Sequence, residues 1–195
     1  MGLATLSCSD DDSDDAGGGE GDSAVAEPEL RDELLAMQAA DQAERMGEAS
    51  GNHDEERTDR LREIIAAFGW PTWDLVGRDG ATAAWLIAQH SDLDVEFQRS
   101  ALELLREAVD DGQASPGDLA YLEDRVAANS GEPQVYGTQI GCVDGHAVAG
   151  TIRDPEHVDE RRAEVGLPPL EEYLASLEED CAAEAAATEA GSGGG

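Results

Sequence analysis

The stretch Trp85-Leu86-Ile87-Ala88-Gln89-His90-Ser91-Asp92 joins an apolar helical pattern directly to four polar side chains. Small and apolar residues recur at helical spacing before it, which predicts a helix over residues 79–89 that a neighbouring helix can approach closely. Gln89 lies one turn beyond Trp85 and His90 one turn beyond Leu86, so the two polar side chains leave the helix in different directions. The stretch therefore predicts a helix that ends in a candidate site.

The rest of the chain is dominated by the same helical periodicity. Further helices are predicted at about residues 29–46, 54–68, 93–111, 115–128, 154–165 and from 170 to 177. Between them, residues 134–143 and 146–152, joined by Asp144-Gly145, are typical of a β-hairpin with a type I′ turn. We predict a mainly α fold: a compact bundle of about six to seven helices with one small β-hairpin.

Length and composition predict one domain. A chain of 195 residues with low-complexity ends has room for one hydrophobic core. Residues 1–27 are rich in Asp, Ser, Gly and Glu and have little to bury, which predicts a disordered leader. We predict a single globular helical domain over residues 28–178 and a disordered tail over residues 179–195.

The charge of the chain excludes several function classes. The net charge is −33, and the twelve basic residues are all arginine. Without lysine there is no phosphate-binding-loop lysine and no Schiff-base lysine. Such acidity disfavours the phosphate backbone of nucleic acids and anionic membrane surfaces, and a biased genome or a saline habitat explains it without a cationic partner. We predict no nucleic-acid partner and no cofactor.

The three cysteines are the residues of the sequence that bear on the cellular compartment of the protein. Cys8 follows a short apolar run and precedes an acidic segment, as at the cleavage site of a bacterial lipoprotein. Lipidation of Cys8 would tether the protein outside the cytoplasm, whereas an accidental cysteine in a disordered leader leaves a cytoplasmic location open. Cys142 and Cys181 are free to pair in an exported protein and would be buried thiols in a cytosol. No cysteine pair has the spacing of a zinc ribbon, and no run is long enough to cross a membrane.

His90 begins an HxDxD string with Asp92 and Asp94. Such a string can supply metal ligands, or a general base with its orienting carboxylate. A lone histidine at a helix end also caps carbonyls and interacts with the helix dipole. We predict no metal, and take His90, with Asp92 or Asp124 to orient it, as the candidate catalytic residues.

Two more polar stretches, Asp124-Arg125 and Tyr136-Gly137-Thr138-Gln139, are expected to form walls of the same site. Asp124-Arg125 ends a helical pattern and is either a structural ion pair or an arginine fork for a ligand carboxylate. Gln89 and Gln139 suit an amide or a sugar, or else satisfy buried backbone groups. The candidate ligand-binding residues are Gln89, Arg125, Tyr136, Thr138, Gln139, Asp41, Arg45 and Trp70.

Several motifs occur in a fixed order: Gly69-Trp70-Pro71, Gln89-His90-Ser91-Asp92, Asp124-Arg125-Val126, Tyr136-Gly137-Thr138-Gln139 and the segment from Val165 to Tyr173. In this order the chain resembles a bacterial family of uncharacterised domains, over about residues 29–173. The set Asp41-Gln42 and Arg45 also resembles that family. The resemblance implies no activity, but it selects the same polar residues as the sequence pattern.

Three hypotheses on function follow. The first is an extracytoplasmic, lipoprotein-type binding or interaction module whose polar pocket holds a small ligand or a peptide, with membrane contact only through Cys8. The second is a small hydrolase-like enzyme with His90 as general base and Arg125, Tyr136 and Gln139 on the substrate. The third is that the motifs are purely structural. The enzyme hypothesis requires His90 to lie within hydrogen-bond reach of a carboxylate.

Overall fold

The computed structural model describes residues 25–192. Lipidation of Cys8 and most of the disordered leader were predicted on residues that lie outside this range. The described residues form seven helices and one two-stranded antiparallel hairpin, which confirms the predicted mainly α fold. The elements in chain order are α1 (Pro28–Arg45), α2 (Asp54–Phe68), α3 (Trp73–Gln89), α4 (Val95–Asp110), α5 (Pro116–Asn129), β1 (Ile140–Val143), β2 (His146–Ala149), a 3-10 turn (Pro155–His157), α6 (Val158–Glu164) and α7 (Leu170–Ser192).

The first five helices form a bundle in which α1, α3 and α5 run in one direction and α2 and α4 in the other. At one end, Glu27 N donates to Leu75 O at 2.8 Å, just before α1 and near the start of α3. At the other end, Asp41 of α1 contacts His90, which follows α3. Side-chain hydrogen bonds bring the starts of α2 and α4 and the end of α5 to this second end. We call it the His90 end.

α3 begins earlier than its sequence pattern predicts. The helix starts at Trp73 and contains a break at Gly77, where φ is 74° and ψ is 171°. This left-handed region of φ is open to glycine at little cost, because glycine has no Cβ. A short helical piece therefore precedes the break, and the piece after it matches the predicted helix.

The core fills the space between the five helices. Its largest fully buried apolar side chains are Leu34, Leu61, Ile64, Val76, Ile87, Leu105 and Leu122. Trp70 is also part of this core and is 6 % exposed. Since Trp70 lies between the end of α2 and the start of α3, the structure places it at the opposite end of the bundle from His90. It is therefore not brought together with the other candidate binding residues.

The hairpin is shorter than predicted, with four residues in each strand. Asp144 and Gly145 both have positive φ, 51° and 81°, as a type I′ turn requires. Beyond the hairpin, only an isolated bridge between Gln134 and Ile152 continues the pairing. Gly137, Gly141 and Gly150 weaken strand structure, which explains why so few residues pair.

α7 extends into the region for which a disordered tail was predicted. The helix continues to Ser192, and Cys181 within it is buried. A disulfide joins Cys181 to Cys142 of β1 and so fixes the hairpin on α7. The run of alanine and glutamate after Cys181 has high helix propensity, which accounts for the helix over these residues. Within residues 25–192 no helix is long and apolar enough to cross a membrane.

Candidate functional site

His90 is held by two residues from the last turns of α1. Its Nδ1 lies 2.8 Å from Oδ2 of Asp41 and 3.0 Å from Nε of Arg45. Arg45 Nε also lies 3.2 Å from both carboxylate oxygens of Asp41. A carboxylate only accepts and a guanidinium only donates, so Nδ1 cannot satisfy both contacts at once. Without a hydrogen, Nδ1 accepts from Arg45 Nε. With a hydrogen, Nδ1 donates to Asp41, and Arg45 Nε donates to the Asp41 carboxylate instead. Nε2 of His90 is then the acceptor.

Asp41 is completely buried, whereas the His90 side chain is 15 % exposed. Burial lowers the pKa of His90, as does the positive charge of Arg45 and Arg125, although the charge of Asp41 opposes this. Burial on its own would raise the pKa of Asp41, but the hydrogen bonds from Arg45 and Gln42 and the positive charge of Arg45 lower it. The pair therefore consists of an ionised carboxylate and a neutral imidazole at neutral pH.

A network of charged residues continues from Arg45 to the start of α2. Arg57 donates to Glu44 at 2.7 Å and to Asp54 at 2.8 Å, and Arg45 also contacts Asp54, at 3.0 Å. The hydrogen bond from Arg57 and a second one from His53 lower the pKa of Glu44 to about 2. A polar cavity of about 190 Å³ is lined by these residues. The network keeps Arg45 in place beside His90.

A seam between α3 and α5 adjoins His90. Trp85 and Tyr121 pack edge to face, with ring centroids 6.0 Å apart. Gln89 lies one turn beyond Trp85, and Arg125 one turn beyond Tyr121, so each pair shares a helix face. The charge of Arg125 acts on His90, and its Nη1 lies 3.7 Å from Asp92. Since α3 and α5 run in the same direction and Trp85 contacts Tyr121, Gln89 and Arg125 follow at the same level of the bundle, next to His90.

Three polar atoms of the seam are buried without a hydrogen-bond partner: Nε1 of Trp85, Oε1 of Gln89 and Nε of Arg125. In the part of the chain that the structure describes, Nε of Arg57 and Nη2 of Arg162 share this property, and neither belongs to the seam. Leaving such an atom buried and unpaired costs about 1–3 kcal/mol. The seam therefore combines three groups that are ready to bond to something else.

Asp124 has a different environment. Its carboxylate accepts hydrogen bonds from the backbone N–H groups of Val135, Tyr136 and Thr138, at 2.6 to 3.2 Å, and from the Thr138 hydroxyl at 3.0 Å. It is completely buried, and among the described residues it makes no ion pair with Arg125. We call Asp124 and the loop 135–138 the Asp124 cluster. It joins α5 to the loop rather than orienting His90.

The remaining residues of this loop are also used within the protein. Gln139 donates through Nε2 to Tyr121 O at 3.3 Å and to the Thr138 hydroxyl at 3.0 Å. Gln134 and Gln139 exchange two hydrogen bonds that close the loop. Burial raises the pKa of Tyr136, and the charges of Glu123 and Asp124 add to this. Tyr136 therefore stays neutral, and its hydroxyl can donate or accept a hydrogen bond.

The HxDxD string does not converge on one point. Asp94 caps α4 by accepting from Phe97 N at 2.9 Å, and it pairs with Arg62 at 2.6 Å. Asp92 instead accepts from Asn129 at 2.8 Å, beside Arg125. The carboxylate that contacts His90 is that of Asp41, on α1, and not that of Asp92 or Asp124.

Asp41 was predicted as a ligand-binding residue, but its contact with His90 was not expected, and Gln98 was not among the predicted site residues. Asp41 continues the apolar stripe of Leu30 and Leu34 along α1, and a charged residue on a buried face is the signal that could have been used. Gln98 is likewise completely buried on α4. Its side chain donates to the carbonyls of Ala88 and Gln89, both at 3.2 Å, and so caps the end of α3.

Comparison with known proteins gives a family and no activity. Residues 28–185 match the model of a family described as a family of unknown function, DUF6624. Because the match spans most of the chain, the protein belongs to that family. No curated protein and no solved structure shows a significant match.

Proposed function

Starting from membership of a family without an assigned activity, we propose that this protein is an extracytoplasmic binding module. We place its binding site at the seam between α3 and α5, and its ligand is a small polar molecule or a peptide. The observation that carries this proposal is the set of three buried, unpartnered polar atoms on Trp85, Gln89 and Arg125. Buried polar groups in native proteins are paired in the great majority of cases, so three exceptions in one place favour a missing partner.

A ligand would enter the seam at the partly exposed side chain of Arg125. Its side chain is 29 % exposed, although Nε is buried, and its one ion pair among the described residues is the 3.7 Å contact with Asp92. An exposed ion pair of this length contributes little free energy. The Arg125 side chain is therefore free to turn aside and admit a ligand beside Gln89.

The proposed location outside the cytoplasm is supported by the disulfide. Bonds such as Cys142–Cys181 form and persist in oxidising compartments. The acidic leader with Cys8 is suited to a lipidated tether. If Cys8 carries the lipid, the Cys8→Ser variant will lose incorporation of an alkyne-labelled fatty acid and leave the membrane fraction, while Ser9→Ala will keep both.

A ligand screen by thermal unfolding tests the binding function. A compound at 100 times its Kd stabilises the folded state by about 2.7 kcal/mol, which raises Tm by several degrees in a domain of this size. We expect amino acids, dipeptides or saccharides to include such compounds, and the shift to disappear in Gln89→Met and Arg125→Met. The matched control Arg99→Met, on the exposed side of α4, will keep it. A shift that persists in both seam variants, or no shift with any compound, would contradict the proposal.

The contact between Asp41 and His90 favours hydrolysis as a second candidate. A neutral imidazole whose Nδ1–H is held at 2.8 Å by a buried carboxylate can take a proton from water through Nε2. In that case a panel of ester and amide substrates will be hydrolysed by the wild type, and His90→Gln will lose the activity while it still binds ligand. Equal hydrolysis by His90→Gln would exclude this candidate and leave the binding function in place.

A further inference from the structure

The three unpartnered atoms of the seam also specify the chemistry of the ligand. Nε1 of Trp85 and Nε of Arg125 only donate hydrogen bonds, whereas Oε1 of Gln89 only accepts. We propose that the ligand group held here is a secondary amide, as found in a peptide bond or in the acetamido group of an N-acetylated sugar. This inference rests on the proposed binding function.

The count of donors and acceptors matches a secondary amide. A carbonyl oxygen has two lone pairs, and it can accept from both Trp85 and Arg125. The amide N–H is a single donor, and it meets Oε1 of Gln89. All three buried atoms are thereby satisfied by one group, which removes the cost of leaving each of them unpaired.

A carboxylate fits less well. It would accept from the two donors, but it would also face Oε1 of Gln89 with a second acceptor. The chain carries a net charge of −33, and the seam lies near the C-terminal ends of α3 and α5, where the helix dipoles disfavour anions. A neutral amide avoids both forms of repulsion.

The surroundings of the three atoms suit the carbon groups that flank an amide. The Trp85 ring stands at 83° to the Tyr121 ring, and the next aromatic contact, from Tyr121 to Tyr173, follows at 6.2 Å. Such faces pack against a methyl group or the apolar side of a sugar ring. His90, a neutral imidazole at the end of the seam, adds no charge that an uncharged ligand would have to balance.

The test follows the indole N–H signal of Trp85 by NMR in the full chain, with the signal identified by its loss in Trp85→Phe. The probes are N-acetylalanine methylamide and N-acetylglucosamine. Their matched analogues are methyl O-acetyllactate, in which oxygen replaces both N–H groups, and glucose, in which a hydroxyl replaces the acetamido group. We expect at least one amide probe to shift the signal, and its analogue to bind at least tenfold more weakly, because the analogue leaves Gln89 unpaired.

Amino-acid substitutions test whether the amide probe binds at the seam. Gln89→Met will lower the affinity for the amide probe at least tenfold, whereas Gln113→Met, at the opposite end of the bundle, will leave it unchanged. A response to only one probe identifies the source as peptide or as N-acetylated sugar. Binding of an analogue as tight as that of its amide, or no response to either amide probe, would overturn the inference. If compounds without an amide raise Tm in an Arg125-dependent manner, the binding function stands and only the amide specificity fails.

Discussion

Asp124 and Gln89 are both buried polar residues near the His90 end of the bundle, and their surroundings differ in one respect. The Asp124 carboxylate accepts from three backbone N–H groups and a hydroxyl, so each oxygen has partners. Oε1 of Gln89 has none among residues 25–192. A satisfied buried group holds the fold together, whereas an unsatisfied one costs stability until a further partner completes it. The comparison thus separates the Asp124 cluster, as framework, from the seam, which we propose as the site.

The largest expected effect comes from breaking the framework. In Asp124→Asn, the amide nitrogen of the new side chain faces N–H groups that need an acceptor, so buried donors in the loop 135–138 are left unpaired. We expect a loss of about 3–5 kcal/mol in the free energy of unfolding. Urea denaturation followed by circular dichroism measures it. The control Asp110→Asn, on an exposed turn of α4, will change stability by less than about 0.5 kcal/mol. A comparable small loss in Asp124→Asn would remove its role as framework.

The disulfide is the second support of the framework, and its removal is expected to cost slightly less. The two cysteines are 39 residues apart in sequence. The chain-entropy model gives about 3–4 kcal/mol for closing a loop of this length. The double variant Cys142→Ser, Cys181→Ser should lower the urea midpoint accordingly and increase hydrogen exchange in α7 beyond residue 178. The seam should bind its ligand as before once the variant is folded. An unchanged midpoint would show that packing alone fixes the hairpin on α7.

The sequence predicted the framework better than the site, for a physical reason. Helix positions depend on residues three or four apart, so the stripes of Leu30 and Leu34 or of Leu61 and Ile64 are visible in one segment. Partner choice depends on packing between segments: Asp41 meets His90 across 49 positions of sequence. The HxDxD string suggested partners for His90 that are nearer in sequence, but Asp92 and Asp94 contact other residues.

Charged positions on apolar stripes are a signal from which more of the site could have been predicted. A carboxylate on a buried helix face must find donors, and both Asp41 and Asp124 stand in such positions. The pattern shows that partners exist without showing which they are. The unpartnered atoms of Trp85, Gln89 and Arg125 leave no trace in the sequence, because the absence of a contact is visible only after the helices are packed.

A third prediction concerns another carboxylate on α5, Asp118, two turns before Arg125. Burial raises its pKa to about 6, although the hydrogen bond from Ser115 opposes this. Between pH 4 and 6 the folded state then holds a proton that the unfolded state releases, so stability falls as pH rises through this range. Asp118→Asn should be more stable than the wild type above pH 6, by about 1–2 kcal/mol, and the difference should vanish near pH 4. Urea titrations at pH 4 and pH 7.5 measure it, and an equal difference at both values would contradict the prediction.

The smallest expected effect tests the seam itself. In Arg125→Met the aliphatic part of the side chain is kept, a half-exposed ion pair with Asp92 is lost, and the buried, unpartnered Nε is removed. Because the last change favours the folded state, stability should not fall by more than about 1 kcal/mol. The pKa of His90 is lowered first by burial and then by nearby positive charge, including that of Arg125. Removing Arg125 should therefore raise this pKa, as read from the His90 ring signal in an NMR titration, with His90→Gln to identify the signal. Arg99→Met should leave it unchanged. An unchanged His90 pKa in Arg125→Met would show that the charge of Arg125 does not act on His90. A loss of stability as large as that of Asp124→Asn would make Arg125 part of the framework, and the distinction between the two regions would then be wrong.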